Sequence, residues 1–246
     1  MRIDVVTLFP EMVSRALEFS IMARARDAGI VEVGVVNPRE WATDRHRIVD
    51  DAPYGGGPGM VLKPEPLVAC IEQLTGGDAG VPVVLMTPQG EPFSQRSAER
   101  LAGCERLVIV CGHYEGVDER VRELVITEEL SIGDYVLTGG ELPALVVVDA
   151  VVRLLPGAVG NEASPEADSF SDGLLEHPHY TRPPQFRGLQ VPGELTEGDH
   201  EQVRRWRRKQ SLVRTLSRRP DLLARAELTD EDRELLREAL TEASSP

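Results

Sequence analysis

The chain has 246 residues, 41% of them hydrophobic, with a formal net charge of −14. That length holds one sizeable core plus a smaller second unit, and no apolar stretch approaches the ~20 residues that cross a bilayer, so no membrane role is expected. Three cysteines, Cys70, Cys104 and Cys111, show no CxxC spacing, which argues against a disulfide framework or a zinc site and for a reducing, cytoplasmic setting.

Residues 2–8 predict a first strand, since an acid interrupts the apolar run and no small-residue cleavage site follows, unlike a signal peptide. Residues 10–29 predict a helix closed by Gly29, and 31–37 a second strand ended by Pro38. From 41 to 60 no period is visible, and the stretch ends in Ala52-Pro-Tyr-Gly-Gly-Gly-Pro-Gly-Met60. An irregular run of that length inside a domain is usually functional. Residues 63–74 predict a helix, 81–87 a strand breaking at Thr87-Pro-Gln-Gly90, and 94–103 a helix with Ser94 as N-cap. Residues 106–111 place four apolar residues in a row after Arg106, the pattern of a strand buried on both faces of a parallel sheet.

That strand opens into Cys111-Gly-His-Tyr-Glu-Gly116, followed by a short helix over 117–124 and a strand over 123–130. Next comes Ser131-Ile-Gly-Asp-Tyr-Val-Leu-Thr-Gly-Gly-Glu-Leu-Pro143. Its glycines permit close backbone approaches, while Ile132, Tyr135 and Leu137 alternate with polar positions. Such a loop either wraps a flat ligand or makes a tight surface connection. Residues 143–155 predict a very apolar helix ending near Arg153, a cation either snorkelling to water or aimed at a site. Three glycine-bearing strand-end loops predict one composite pocket at the carboxyl ends of parallel strands. No GxGxxG follows the first strand, which disfavours the common dinucleotide and methyltransferase folds.

Between 157 and 173 the pattern collapses into small and polar residues and reads as a linker. We therefore expect an α/β domain over 1–156, a linker over 157–173 and a helical domain over 174–246. In the last, 201–217 predicts a basic helix and 228–240 an amphipathic one capped by Thr229 or Asp230. Residues 203–225 carry nine basic side chains against the single acid Asp221, with Trp206 among them. This is a solvated helix face or a phosphate grip, with Trp206 packing on the core or stacking with a base.

The three loops, the 52–60 segment and Glu176-His-Pro-His-Tyr-Thr-Arg-Pro183 closely resemble the bacterial tRNA (guanine-N1)-methyltransferases. These enzymes modify guanosine 37, immediately 3′ of the anticodon. The resemblance runs from residue 1 to about residue 226. It implies an α/β fold of the SPOUT class, a mostly parallel sheet with a deep trefoil knot, plus a small all-helical C-terminal domain. It also implies S-adenosylmethionine as methyl donor, 1-methylguanosine as product, and a homodimer with the active site shared between subunits. By the same resemblance Asp168 is the general base and Arg153 stabilises the guanine O6. Pro88, Gly112, Ile132, Gly133, Asp134, Tyr135, Val136, Leu137, Gly140 and Pro143 then hold the cofactor.

Glu115 carries a carboxylate suited to the N1–H and N2 amino edge of guanine. His113 beside it either titrates in the site or stabilises the turn. Tyr54 is expected to line the base pocket, and Arg204, Arg205, Arg207, Arg208 and Lys209 to meet the tRNA anticodon arm. The resemblance further implies Mg²⁺ dependence, yet no compact ligand constellation locates an ion. Two rivals stay open: a knotted methyltransferase acting on an RNA ribose 2′-hydroxyl or another base, and a non-catalytic RNA-binding protein.

Overall fold

The structure, a computed structural model, describes residues 1–160 and 168–243. The chain divides into two compact units, Met1–Glu162 and Ala163–Pro246. Within the 157–173 segment, residues 161–167 lie outside the described residues.

The first unit runs β1 (Arg2–Val6), α1 (Pro10–Ala16), α2 (Ser20–Asp27), β2 (Glu32–Val36), β3 (Asp50–Asp51), β4 (Val61–Leu62), α3 (Pro64–Thr75), β5 (Val83–Pro92), α4 (Gln95–Ala102), β6 (Arg106–Cys111), α5 (Glu119–Val125), β7 (Glu128–Ser131) and α6 (Glu141–Val152). Five strands form one sheet in the order β2-β1-β6-β5-β7, and every pairing in it is parallel. Apolar side chains fill both faces, as the unbroken run in β6 predicts. Leu107, Ile109 and Cys111 join one core with Val147, Val148 and Val151 of α6. Val108 and Val110 join the other with Leu67 and Ile71 of α3. The expected α/β architecture with a parallel sheet is thus the observed one.

Several boundaries differ from the sequence expectation; β1 ends at Val6 and α6 runs from Glu141 to Val152, and three other differences have a visible cause. The helix over 10–29 is two helices, because Ser20 takes a φ of 57°, which a continuous right-handed helix excludes. The strand over 123–130 starts at Glu128, because α5, capped by the Asp118 side chain on Arg120 N, runs on to Val125. Strand β5 does not end at Thr87. It pairs with β7 up to Met86, slips register, and pairs again from Glu91, so that residues 87–90 stand out as a corner. The cap on α4 is as expected: the Ser94 hydroxyl accepts from Ser97 N.

The second unit contains the short pair β8 (Gln185–Phe186) and β9 (Leu189–Gln190), then α7 (His200–Arg218), α8 (Pro220–Leu223) and α9 (Asp230–Ala243). Its buried core is small, Leu174, Leu212 and Leu235. Thr229 caps α9 reciprocally: its hydroxyl accepts from Asp232 N, and Asp232 Oδ2 accepts from Thr229 N.

Candidate active site

Strands β6, β5 and β7 are sheet neighbours running the same way, so the loops leaving their carboxyl ends share one edge. There they enclose a cavity of about 380 Å³, within the range of small-molecule sites. From β5 come Thr87, Pro88 and Gln89; from β6, Gly112 to Gly116; from β7, Ser131 to Gly133 and Tyr135 to Gly140; and from α6, Pro143. These elements bring together nine of the ten residues expected to hold the cofactor. The tenth, Asp134, is exposed and does not line the cavity.

Five glycines, Gly112, Gly116, Gly133, Gly139 and Gly140, line the cavity, and main-chain hydrogen bonds hold its wall. Gly140 N donates to Gly112 O at 2.8 Å, and His113 and Gly139 form an isolated antiparallel bridge. A Cβ on Gly140 would lie 2.7 Å from Cys111 Cα and 2.9 Å from Gly112 N, both main-chain atoms with no freedom to retreat. Gly133 has a φ of +149°, its N–H donates to Ser131 Oγ, and that hydroxyl donates back to Gly133 O. The result leaves Tyr135, Val136 and Leu137 exposed at the rim, Val136 at 82%. Apolar side chains held out to solvent beside glycine-bearing loops fit a ligand with a flat apolar group and hydrogen-bonding edges.

Behind this wall lies a buried polar tie. Thr7 Oγ1 donates to Glu141 Oε1 at 2.8 Å and accepts from Phe9 N at 2.9 Å. Glu141 sits in the first turn of α6, where the helix dipole favours a carboxylate. The tie joins the end of β1 to the helix start that carries Gly140. Burial, and secondarily the charge of Glu141, pushes the Cys111 thiol well above its usual range, so it is inert as a nucleophile.

Glu115 also lines the cavity. Its N–H donates to Met60 O at 3.0 Å, and Gly59 lies directly against its carboxylate, so the 52–60 loop backs onto it. Tyr54 of that loop does not line the cavity and is fully exposed. Arg153 follows the last residue of α6, ten positions from Pro143, about 15 Å along the helix axis. One chain therefore does not bring Arg153 to its own cavity. Asp168 belongs to the second unit, where with Asp172, Glu176, Arg204, Arg207 and Arg208 it lines a separate cavity of about 210 Å³.

Several lining residues, among them Thr138, Tyr114 and Arg122, were not singled out from the sequence. Thr138 sits within a motif already read, beside Gly139, and the polarity of that loop was signal enough. His113 now has a definite place, its ring 4.9 Å from that of Phe9 and 4.7 Å from that of Tyr114, with a buried Nδ1 that has no hydrogen-bond partner. Tyr114 adopts a left-handed φ of 60°, a strained value for a bulky residue and one that gathers at functional loops. Arg122 reaches the cavity from α5 while paired with Glu129 and Glu119. Nothing in its local pattern separates it from a solvated helix cation.

The five basic residues assigned to RNA are less alike than the sequence indicates. Arg204 pairs with Glu201 and Glu231, Arg205 with Glu231 and Glu238, and Lys209 with Glu238 and Glu242. Arg208 grips Asp232 through Nε and Nη2 and also pairs with Asp172. The Arg208 guanidinium holds the Asp232 carboxyl down at about 2. Arg207 makes no ion pair among the described residues. Trp206 lies 6.2 Å from Tyr180, ring to ring, outside the unit's leucine core.

Among the described residues no group of three His, Cys, Asp or Glu side chains is arranged to hold a metal ion. No helix among them is long and apolar enough to cross a membrane.

Residues 1–225 match the family model described as tRNA (Guanine-1)-methyltransferase TrmD. A tRNA (guanine-N(1)-)-methyltransferase of Pelotomaculum thermopropionicum is 58% identical over 242 residues, covering 98% of this chain and 96% of its own. Proteins with the same description from Moorella thermoacetica and Geobacillus kaustophilus are 60% and 55% identical, over 97% of this chain and 96% and 98% of their own lengths.

Proposed function

The chain belongs to the tRNA (guanine-1)-methyltransferase family, and from that premise we propose that it transfers a methyl group from S-adenosylmethionine to N1 of the guanosine immediately 3′ of the tRNA anticodon. The observation that carries the reading is the cavity at the carboxyl edge of β5, β6 and β7, lined by five glycines and closed by Gly140 against Cys111 and Gly112. Its size, glycine-bearing loops and apolar rim suit the adenosine and amino-acid ends of that cofactor, with Pro88, Gly112, Ile132, Leu137 and Gly140 holding it. When bound, the cofactor supplies an electrophilic methyl carbon on a sulfonium. SPOUT-class proteins thread this region as a trefoil knot, and we assign the same path here.

What the protein must add follows from the base. Guanine N1 is amide-like and not nucleophilic until its proton leaves, and the departing charge falls on O6. Asp168 serves as general base for N1–H, Arg153 meets the charge on O6, and Glu115 accepts from the N2 amino group. Because Arg153 stands at the far end of α6 from the cavity of its own chain, we assign Arg153 and Asp168 to a second subunit. The apolar Met12, Leu142 and Val146, exposed on α1 and α6, supply a surface for that pairing. Mg²⁺ has no protein ligand set among the described residues, and no step is assigned to it. We place this activity in the cytoplasm.

The test is transfer of labelled methyl to two anticodon-arm RNAs, one with guanosine and one with adenosine 3′ of the anticodon. Label on the guanosine RNA alone, recovered as 1-methylguanosine, is expected. Equal labelling points to a ribose 2′-hydroxyl, and no label despite tight RNA binding points to a non-catalytic binder. Asp168→Ala should lower turnover about 10²- to 10⁴-fold while cofactor affinity stays within about twofold; loss of cofactor binding in that variant removes Asp168 as base.

A further inference from the structure

Helix α7 is amphipathic in charge as well as in hydropathy, and the two charged faces have different neighbours. At 3.6 residues per turn, Arg207, Arg214 and Arg218 fall at i, i+7 and i+11, within about 40° of one another around the axis. Arg205, Arg208 and Lys209 lie from about 100° to 200° away from Arg207, and Leu212, on their side, is buried in the core. The second group is neutralised from α9 by Glu231, Asp232, Glu238 and Glu242. The first group makes no ion pair among the described residues, and Arg207 and Arg218 are exposed. In a chain of net charge −14, three aligned cations outside any ion pair among the described residues are a departure that has to be maintained against the background, even though Arg207 also lines the cavity shared by Asp168, Asp172 and Glu176.

The stripe also has a defined end. Arg207 lines a cavity of about 530 Å³ with His177, His179, Tyr180, Arg182 and Val203. Tyr180 is half exposed there and tilted against Trp206. An aromatic face beside two guanidinium groups is what an unstacked nucleotide requires, a π-surface for the base and forked donors for its phosphate.

Building on the tRNA reading above, we infer that the anticodon arm is held along Arg207, Arg214 and Arg218, with an unstacked nucleotide against Tyr180, and that Arg205, Arg208 and Lys209 serve the α7–α9 contact instead of the RNA. The stripe is about 16 Å long from Arg207 to Arg218. Charge complementarity selects the occupant: the surface is cationic and forked, and the stem and loop of the arm are a dense array of phosphates.

The experiment measures binding of an anticodon-arm RNA to the full-length protein, and to full-length variants, between about 50 and 200 mM salt. Each of Arg207→Gln, Arg214→Gln and Arg218→Gln should flatten the log–log salt slope by about 0.7 to 0.9, and the triple variant by about 2 to 3. Arg205→Gln and Lys209→Gln should leave the slope unchanged. The Arg→Lys variants should keep the slope, which separates lost charge from lost folding. Tyr180→Ala should weaken binding roughly 5- to 150-fold with little change of slope.

An unchanged slope in the triple variant, while the wild type binds and methylates, overturns the stripe and leaves the methyltransferase reading intact. Equal flattening by Arg205→Gln and Lys209→Gln overturns the division into two faces. If the wild type neither binds nor methylates tRNA, the functional reading fails first and this inference falls with it.

Discussion

The cavity at the sheet edge and the basic helix α7 are held in shape by different means. Around the cavity, glycines let main chain touch main chain, and hydrogen bonds such as Gly140 N to Gly112 O set the geometry. Along α7, long side chains reach acids 24 to 33 residues away, on α9, and the core beneath them is three leucines. The first site should tolerate neighbouring side-chain changes yet fail when a single Cβ is added. The second should lose stability with a buried charge partner, while cofactor binding at the cavity is unaffected.

The largest effect expected from this contrast is on the helical unit. Asp232 has a side chain 2% exposed, accepts two bonds from Arg208, and caps α9 through Thr229. Asp232→Asn leaves the Arg208 guanidinium with its main partner neutralised, Asp172 remaining, and should cost about 2 to 3 kcal/mol, read as a fall in thermal stability. Cofactor affinity should not move, since nothing at the cavity depends on that pair. A matching loss of cofactor binding would show that the two regions are not separable.

Next in size is Gly140→Ala. The new methyl would meet Cys111 Cα and Gly112 N at under 3 Å, so the 131–140 loop has to move. A displacement near 1 Å in a positioning loop costs about 10²-fold in rate, and methyl transfer should fall by that much or more. Substituting exposed Val136 by Thr, on the same rim, should cost far less. Comparable losses in the two variants would mean that side chains and not main chain define the site.

The pH dependence of stability sharpens the comparison further. Arg208 depresses the folded-state pKa of Asp232 from 3.8 to about 2, so the carboxylate contributes stability that is fully present above about pH 4. That contribution is lost as pH falls through the folded value near 2, and it amounts to about 2 kcal/mol. Acid unfolding of the wild type should therefore steepen between about pH 4 and pH 2, and Asp232→Asn should remove that component.

The same contrast decides what the amino-acid order could reveal. The strand over 106–111 was legible because a run of apolar residues buried on both faces leaves a local signature, and the Ser94 cap because its partner is three residues on. The cavity motifs were legible because Gly112, Gly133 and Gly140 fall at the ends of consecutive predicted strands, where a shared pocket and not three separate tight turns accounts for all of them at once. The corner at 87–90 was not, since β5 resumes pairing beyond it only through the backbone of β7. Nor was the position of Arg153, which depends on where α6 begins and how far it runs. Least legible was the pairing of α7 with α9: nine cations in one stretch look alike in one dimension, and only the fold decides which of them meet Glu231, Asp232, Glu238 and Glu242.

The smallest effect is the most discriminating. Lys209 is two residues from Arg207 but about 200° around the helix, where it pairs with Glu242 at 2.7 Å and with Glu238 at 3.5 Å. Lys209→Gln removes one cation from a shared, partly solvated network and should cost no more than about 1 kcal/mol of stability. It should leave the salt slope of RNA binding where it was, whereas Arg207→Gln, an equal change in net charge, should flatten it. The two variants remove one positive charge each, an arginine from one face of α7 and a lysine from the other. If Lys209→Gln flattens the slope as much, α9 does not hold its cations once RNA arrives. Glu238 and Glu242 then exchange their partners for phosphate, and α7 acts as one continuous basic surface instead of two.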